Sequence, residues 1–225
     1  MSSHMVVSPE NDPSASQRLK MVATQLRRRG IRDERVLAAM ERVPRHEFVD
    51  PQFRARAYED DPLPIGEGQT ISQPFMVAYM LEALQLEPEN RVLEIGTGTG
   101  YQAALLAVLA REAVTIERHA MLAERARQNL KRLGFRNVKA VHGDGSQGWA
   151  QGAPYDRIIV AAAAPGVPGS LLHQLAEGGK LIAPVGSPEM QEVVLLEKSA
   201  GQFKTKRLEG CRFVPLIGAE GFGQG

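Results

Sequence analysis

From residue 91 onward the chain alternates between two textures. RVLEI, EAVTIE, NVKAVHGD and YDRIIVAAAA are short runs rich in apolar and β-branched residues, as in strands covered on both faces. YQAALLAVLA, residues 119–133 and GSLLHQL come between or after them and read as helices. GGKLIAPV reads as a fifth strand, and EVVLLEK and QFKTKRLEG as two more joined by a turn at Ala200-Gly201. Strands alternating with helices predict an α/β fold with a doubly wound, mostly parallel sheet. The terminal hairpin adds antiparallel edge strands, which brings the sheet to seven. Ligands of such sheets bind at the carboxyl ends of the strands, where the strand order reverses.

The first part of the chain has a different periodicity. Leu19, Val22, Ala23 and Leu26 recur at helical spacing, which predicts one helix over residues 14–29 with Gly30 as its stop. Asp33 is placed to cap a second helix that runs to Arg42, ahead of Pro44. Residues 44–70 are rich in Pro, Gly and acids and read as loop, with a short helical piece around 53–58. Pro74 to Leu84 reads as a helix. Residues 1–13 are read as a flexible tail. The expected organisation is one structural domain: a helical and substrate-loop region over 14–90, packed on a core over 91–225. With 225 residues, 43% of them apolar, the chain can bury one large core.

Charge narrows the partners. The net charge is +1, so bulk electrostatics favour neither nucleic acid nor an anionic membrane. Arg27-Arg28-Arg29 reads as a solvated helix end, where cations suit the dipole. One cysteine, Cys211, allows no intrachain disulfide and suits a reducing, cytoplasmic setting. AALLAVLA and IIVAAAA are too short to span a bilayer.

The densest candidate chemistry is LEIGTGTGY, where Gly96, Gly98 and Gly100 follow a strand and open a helix. Glycine lets backbone pass close to a ligand. The spacing is G-x-G-x-G rather than the G-x-G-x-x-G of a dinucleotide pyrophosphate site. With Glu94 inside the preceding strand, it suits S-adenosylmethionine better than a nicotinamide dinucleotide, since that ligand has a cationic amino-acid end and no phosphate. Glu117 ends the second strand, where a carboxylate can accept from ribose hydroxyls. Asp144 follows the third strand, placed to accept from an adenine amino group, and Gly145 leaves room for the ring. Together these make a nucleoside pocket.

The order LEIGTGTGY, TIE, HGDG resembles the class I S-adenosylmethionine-dependent methyltransferases, whose Rossmann-like fold has this sheet. GEGQTISQPFMVAYML, GDGSQGW, PYDRIIVAAAAPGVP, LLHQLAEGGKLIAPVG and FVPLIG resemble protein-L-isoaspartate O-methyltransferases, over roughly residues 19–218. The resemblance implies methylation of the free α-carboxylate of L-isoaspartyl residues in damaged proteins and peptides, giving an ester that collapses to succinimide. It implies Ser72 as the residue that aligns the acceptor carboxylate, and Thr70 beside it on the cofactor side. It also implies Val214, Pro215 and Leu216 as holders of the peptide main chain, and Ala163 among the small residues 161–165 that line the transfer site. No metal is implied, nor any nucleic-acid or membrane partner; a monomer is expected.

A carboxylate acceptor is already ionised at neutral pH and needs no general base. His119, His142 and His173 are therefore read as surface or helix residues. A methyltransferase for another carboxylate and a non-catalytic S-adenosylmethionine-binding module are the alternatives. AAAAPGVP lacks the amide or acid by which an adenine-N6 enzyme would hold its target. Ser72-Gln73-Pro74 also has the look of a helix start, a hydroxyl cap before a first-turn proline. Gly66 and Gly68 are expected to let the segment fold over the cofactor, with Ser72 facing the acceptor and another group capping the helix.

Overall fold

The structure, a computed structural model, describes residues 14–223; the expected tail over 1–13 lies outside them. Five parallel strands form the body of the sheet: β3 (Arg91–Ile95), β4 (Glu112–Glu117), β5 (Val138–His142), β6 (Tyr155–Val160) and β7 (Leu175–Gly186). β8 (Gln191–Ser199) and β9 (Gln202–Cys211) continue it as an antiparallel hairpin, giving seven strands in the order β5-β4-β3-β6-β7-β8-β9. The predicted sheet is thus present, and its order reverses between β3 and β6. Alternate residues of the central strands feed two cores. Val92, Ile159 and Ile182 face helices α2 (Glu34–Arg42), α3 (Pro74–Leu84) and α4 (Tyr101–Leu109). Leu93, Ile158 and Leu181 face the other way, toward α6 (Gly169–Gln174). α5 (Ala120–Arg132) lies beside β4 and β5.

Three expectations need correction. The first helix is not uniform: α1 (Ala15–Met21) runs into a π-helical turn, Val22–Leu26, and a 3-10 turn, Arg27–Arg29. A widened turn leaves Met21, Val22 and Leu26 buried, so apolar spacing does not reveal it. Residues 44–70 contain the expected short helical piece but are more ordered than a loop. They hold 3-10 turns at Arg45–Phe48 and Pro51–Arg56 and a hairpin of β1 (Leu63–Gly66) and β2 (Gln69–Ile71). Its turn places Glu67 and Gly68 at φ 53° and 68°, the left-handed pair that twists two short strands correctly. Strands of four and three residues are too short for periodicity to register. Finally, β6 stops at Val160 rather than running through the alanines. Ala163 instead bridges to Pro215 and Ala164 to Val185.

Asp33 caps α2 as predicted, Oδ1 accepting from the Arg35 and Val36 N–H groups at 2.8 and 3.3 Å. The start of α2 lies at the opposite end of the sheet, Arg35 donating to Leu86 O and Leu109 O ahead of β3 and β4, so its cap tests the fold without touching the chemistry. Asp33→Ala is expected to cost about 1 kcal/mol of stability. Urea unfolding checks this, and the variant should keep wild-type ligand affinity.

Candidate active site

The site begins where β3 ends. Gly96, Gly98 and Gly100 have φ of 91°, 56° and 97°, conformations that side chains resist. Space is also short, since a Cβ on Gly98 would lie 3.0 Å from Ile65 Cδ1 of the β1–β2 hairpin. The hairpin therefore closes directly on the glycine loop. Glu117, at the end of β4, pins the loop: Oε2 accepts from Gly98 N–H and Oε1 from His119 N–H, each at 2.9 Å.

Glu94 does its work behind the loop. It is fully buried, and Oε2 accepts from the Thr115 hydroxyl at 2.5 Å. Thr97 Oγ1 lies 2.6 Å from that same hydroxyl, which completes a chain from strand to loop. Burial pushes the Glu94 carboxyl up to about 8, against the pull of Thr115. The Gln102 amide also lies close enough to favour ionisation. Even so, neither its Nε2 nor Glu94 Oε1 has a hydrogen-bond partner among the described residues, and both atoms are buried.

Asp144 is fully engaged. Oδ1 accepts from Ser146 N–H and Oγ at 2.9 and 2.7 Å, and Oδ2 from Ala219 N–H at 2.8 Å. Burial raises its pKa, but the bonds from Ala219 and Ser146 outweigh that and hold the carboxyl below its ordinary range. Asp144 thus ties the segment after β9 to the end of β5.

Three hollows meet here. The first, about 520 Å³, has apolar walls from Ile95, Ile116 and Leu216, with Glu117 as its carboxylate and Gly145 on its floor. The second, an open groove of about 1570 Å³, carries Ser72, Phe75 and Cys211. Thr70, Ala161, Val214 and Pro215 line both and form the boundary between them. A smaller hollow of about 370 Å³ joins Ser72 to Gly96, Thr99 and Gln102.

Of the residues the sequence nominates, Thr70, Ser72, Gly96, Gly98, Glu117, Gly145, Val214, Pro215 and Leu216 converge on these hollows. Glu94, Gly100, Asp144 and Ala163 do not line them. Gly100 serves helix packing, since a Cβ there would meet Ala126 at 3.4 Å. Ala163 is clamped by backbone, its N–H on Val214 O at 2.8 Å and its O on Leu216 N–H at 2.6 Å. Ile65, Thr99, Gln102 and Arg29 are among the lining residues that sequence reasoning missed. Only the hairpin register, with the GEG turn as its signal, would have pointed to Ile65.

This is the geometry of an α/β enzyme with a carboxylate-bearing, apolar-walled pocket beside an open groove, at the carboxyl edge of a sheet. The profile of the family described as protein-L-isoaspartate(D-aspartate) O-methyltransferase matches residues 17–221. A protein-L-isoaspartate O-methyltransferase of Koribacter versatilis (strain Ellin345) is 56% identical over 218 residues, covering 97% of this chain and 98% of its own. A solved protein-L-isoaspartate O-methyltransferase superposes with TM-score 0.82 at 33% identity, over 91% of this chain and 67% of its own. A Plasmodium falciparum chain proposed to be such an enzyme, solved in complex with S-adenosyl-L-homocysteine, gives TM-score 0.78 at 30% identity, over 89% of this chain and 98% of its own. The chain belongs to the protein-L-isoaspartate(D-aspartate) O-methyltransferase family.

The pocket fits the S-adenosylmethionine of such enzymes. Gly145 admits no side chain, since a Cβ would lie 2.5 Å from Ile95 Cγ2, so its surface stays flat beside apolar walls. At the other end the buried Thr99 Oγ1, Gln102 Nε2 and Glu94 Oε1 lack partners among the described residues, which suits a polar amino-acid end.

The Glu94 carboxyl yields a pH test. The folded chain keeps its proton to about pH 8, whereas an unburied glutamate releases it near 4.5. A folded pKa above the unfolded one contributes stability that is complete below 4.5 and is lost as pH rises toward 8. Thermal melts of Glu94→Gln, without ligand, should lack this loss. Its Tm should gain on wild type steadily from pH 5 to 8; a constant difference would refute the neutral buried acid.

Proposed function

We propose that the chain repairs damaged proteins by methylating the free α-carboxylate of L-isoaspartyl residues. The observation that carries this reading is the shared wall of Thr70, Ala161, Val214 and Pro215, with Ser72 on the groove beside it. S-adenosylmethionine, when bound, supplies an electrophilic sulfonium methyl group. The walls from Ile95, Ile116 and Leu216 would enclose its nucleoside, Glu117 would accept from the ribose, and Glu94, Thr99 and Gln102 suit its amino-acid end.

The protein's remaining task is to align a carboxylate that is already charged. Ser72 Oγ makes no hydrogen bond among the described residues, so its proton is available to one acceptor oxygen while the other attacks. Holding reactants in line removes several kcal/mol from a barrier without any proton transfer. The main chain at 214–216 is partly committed. Ala163 takes Val214 O and Leu216 N–H, and Pro215 has no N–H. Val214 N–H and Pro215 C=O remain to hold a peptide backbone. In the resulting methyl ester the adjacent amide nitrogen attacks the ester carbonyl, forming the ring C–N bond as the C–OCH3 bond breaks and the methoxy group leaves with the amide proton as methanol, hence the collapse to succinimide.

The same reading makes the chain one domain, residues 91–225 forming the catalytic core and 14–90 the substrate-loop region. It acts as a cytoplasmic monomer on protein and peptide carboxylates, without nucleic-acid or membrane partners. A net charge of +1 suits that partner set. Among the described residues no helix is long and apolar enough to cross a membrane.

Labelled methyl transfer tests the proposal. A peptide with L-isoaspartate should be methylated to a base-labile ester, and the same peptide with normal aspartate scarcely at all; equal transfer to both would sink the claimed specificity. Ser72→Ala should lower kcat/KM about 10- to 100-fold, the worth of a hydrogen bond to a charge, with cofactor affinity unchanged. Glu117→Ala should do the converse, weakening S-adenosylhomocysteine binding in calorimetry; wild-type affinity would remove Glu117 from the ribose.

A further inference from the structure

Ser72 can present its hydroxyl to the groove only if α3 is capped by something else. Helix starts leave N–H groups without partners, and a serine just ahead of a helix is a strong candidate to satisfy them. Here the N-cap position is Gln73, at φ −56° and ψ 144°, and its side chain caps nothing. Pro74 has no N–H, so Phe75 is the first donor in need of an acceptor. Asp60, fifteen residues upstream, supplies it: Oδ1 accepts from Phe75 N–H at 2.8 Å.

The carboxylate is fastened from three sides. Oδ2 accepts from Gln73 Nε2 at 3.4 Å and pairs with the Arg29 guanidinium. Arg29 in turn lies over the Phe75 ring, 3.5 Å from its centroid. The cation expected to be solvated at the end of the arginine run is therefore built into the start of α3.

We propose that Asp60 is a positioning residue for methyl transfer: by capping α3 it leaves the Ser72 hydroxyl turned to the acceptor. Without Asp60, Phe75 N–H lies three residues after Ser72, the spacing at which a serine side chain captures a backbone donor. That capture would draw Ser72 Oγ toward the helix and away from the groove. The proposal rests on the reading of Ser72 as the acceptor-binding hydroxyl.

The test is a double-mutant cycle in the full chain, with S-adenosylmethionine and an L-isoaspartyl peptide. Asp60→Ala should lower kcat about five- to tenfold, a helix-cap loss expressed as a rate. KM for the cofactor and calorimetric affinity for S-adenosylhomocysteine should stay within about twofold. Asp60→Asn keeps an acceptor oxygen and should retain most of the rate. Asp60→Ala added to Ser72→Ala should cause no further loss, because the residue acts through Ser72. Multiplied losses, or wild-type kcat in Asp60→Ala, overturn the proposal while leaving Ser72 in its role. Wild-type kcat in Ser72→Ala overturns the acceptor-hydroxyl reading and this proposal with it. If Asp60→Ala does not fold, Asp60→Ala with Gln73→Asn carries the comparison, since asparagine at the N-cap position gives α3 a neutral cap of its own. Folded protein with restored kcat supports the proposal; folded protein that remains slow refutes it.

Discussion

The site depends on two strands that end side by side and then part. β3 and β6 are neighbours in the sheet, yet β3 continues through the glycine loop toward β4 while β6 continues through the alanines toward β7. Backbone bonds hold its edges: Ala161 N–H donates to Ile95 O at 2.7 Å, and Gly96 N–H to Ile116 O at 2.9 Å. No side chain needs to fill the crevice, which leaves the first hollow open. Everything else on the site is hung from the margins of this gap. The segment 214–216 is clipped to Ala163 on one side, and the hairpin closes over Gly98 on the other.

Charge is distributed to keep those margins rigid rather than to perform acid–base chemistry. Glu117 spends both oxygens on backbone N–H groups. Glu94 is neutralised by burial and braces the loop through Thr115 and Thr97. Asp144 remains ionised and tethers Ala219. Each of the three carboxyls thus fixes a loop at the carboxyl edge of the sheet. Such preorganisation suits a reaction whose nucleophile arrives already charged, because position then limits the rate more than proton transfer does.

The core was legible because its physics is local. Near-continuous apolar runs separated by helical spacing can hardly be anything other than a covered parallel sheet, and glycines at alternate positions after a strand mark the ligand end. Asp33 was equally legible, since a cap acts on the next two residues. Other roles depend on partners distant in sequence. Glu94 and Asp144 also engage Thr115 and Ala219, partners that nothing local in the sequence marks. Four alanines likewise carry no mark that Ala163 is the one clamped by backbone. The hairpin escaped notice because its strands are shorter than the period that would reveal them.

Ser72 shows the same limit from the other side. Ser72-Gln73-Pro74 carries a helix-start signal, so setting Ser72 toward the acceptor required another group to cap the helix, and the local sequence does not say which. The structure puts the N-cap one residue later, at Gln73, and accepts the first free N–H of the helix with Asp60, from the segment ahead of the hairpin. A side chain with two eligible partners is released for one of them only when the other is satisfied elsewhere. Asp60, Arg29 and Phe75 form that satisfaction, and each comes from a different segment of the 14–90 region. The helical extension ahead of the sheet thus bears on the chemistry through the start of α3, although the methyl-donor pocket itself is built mostly from residues after 90.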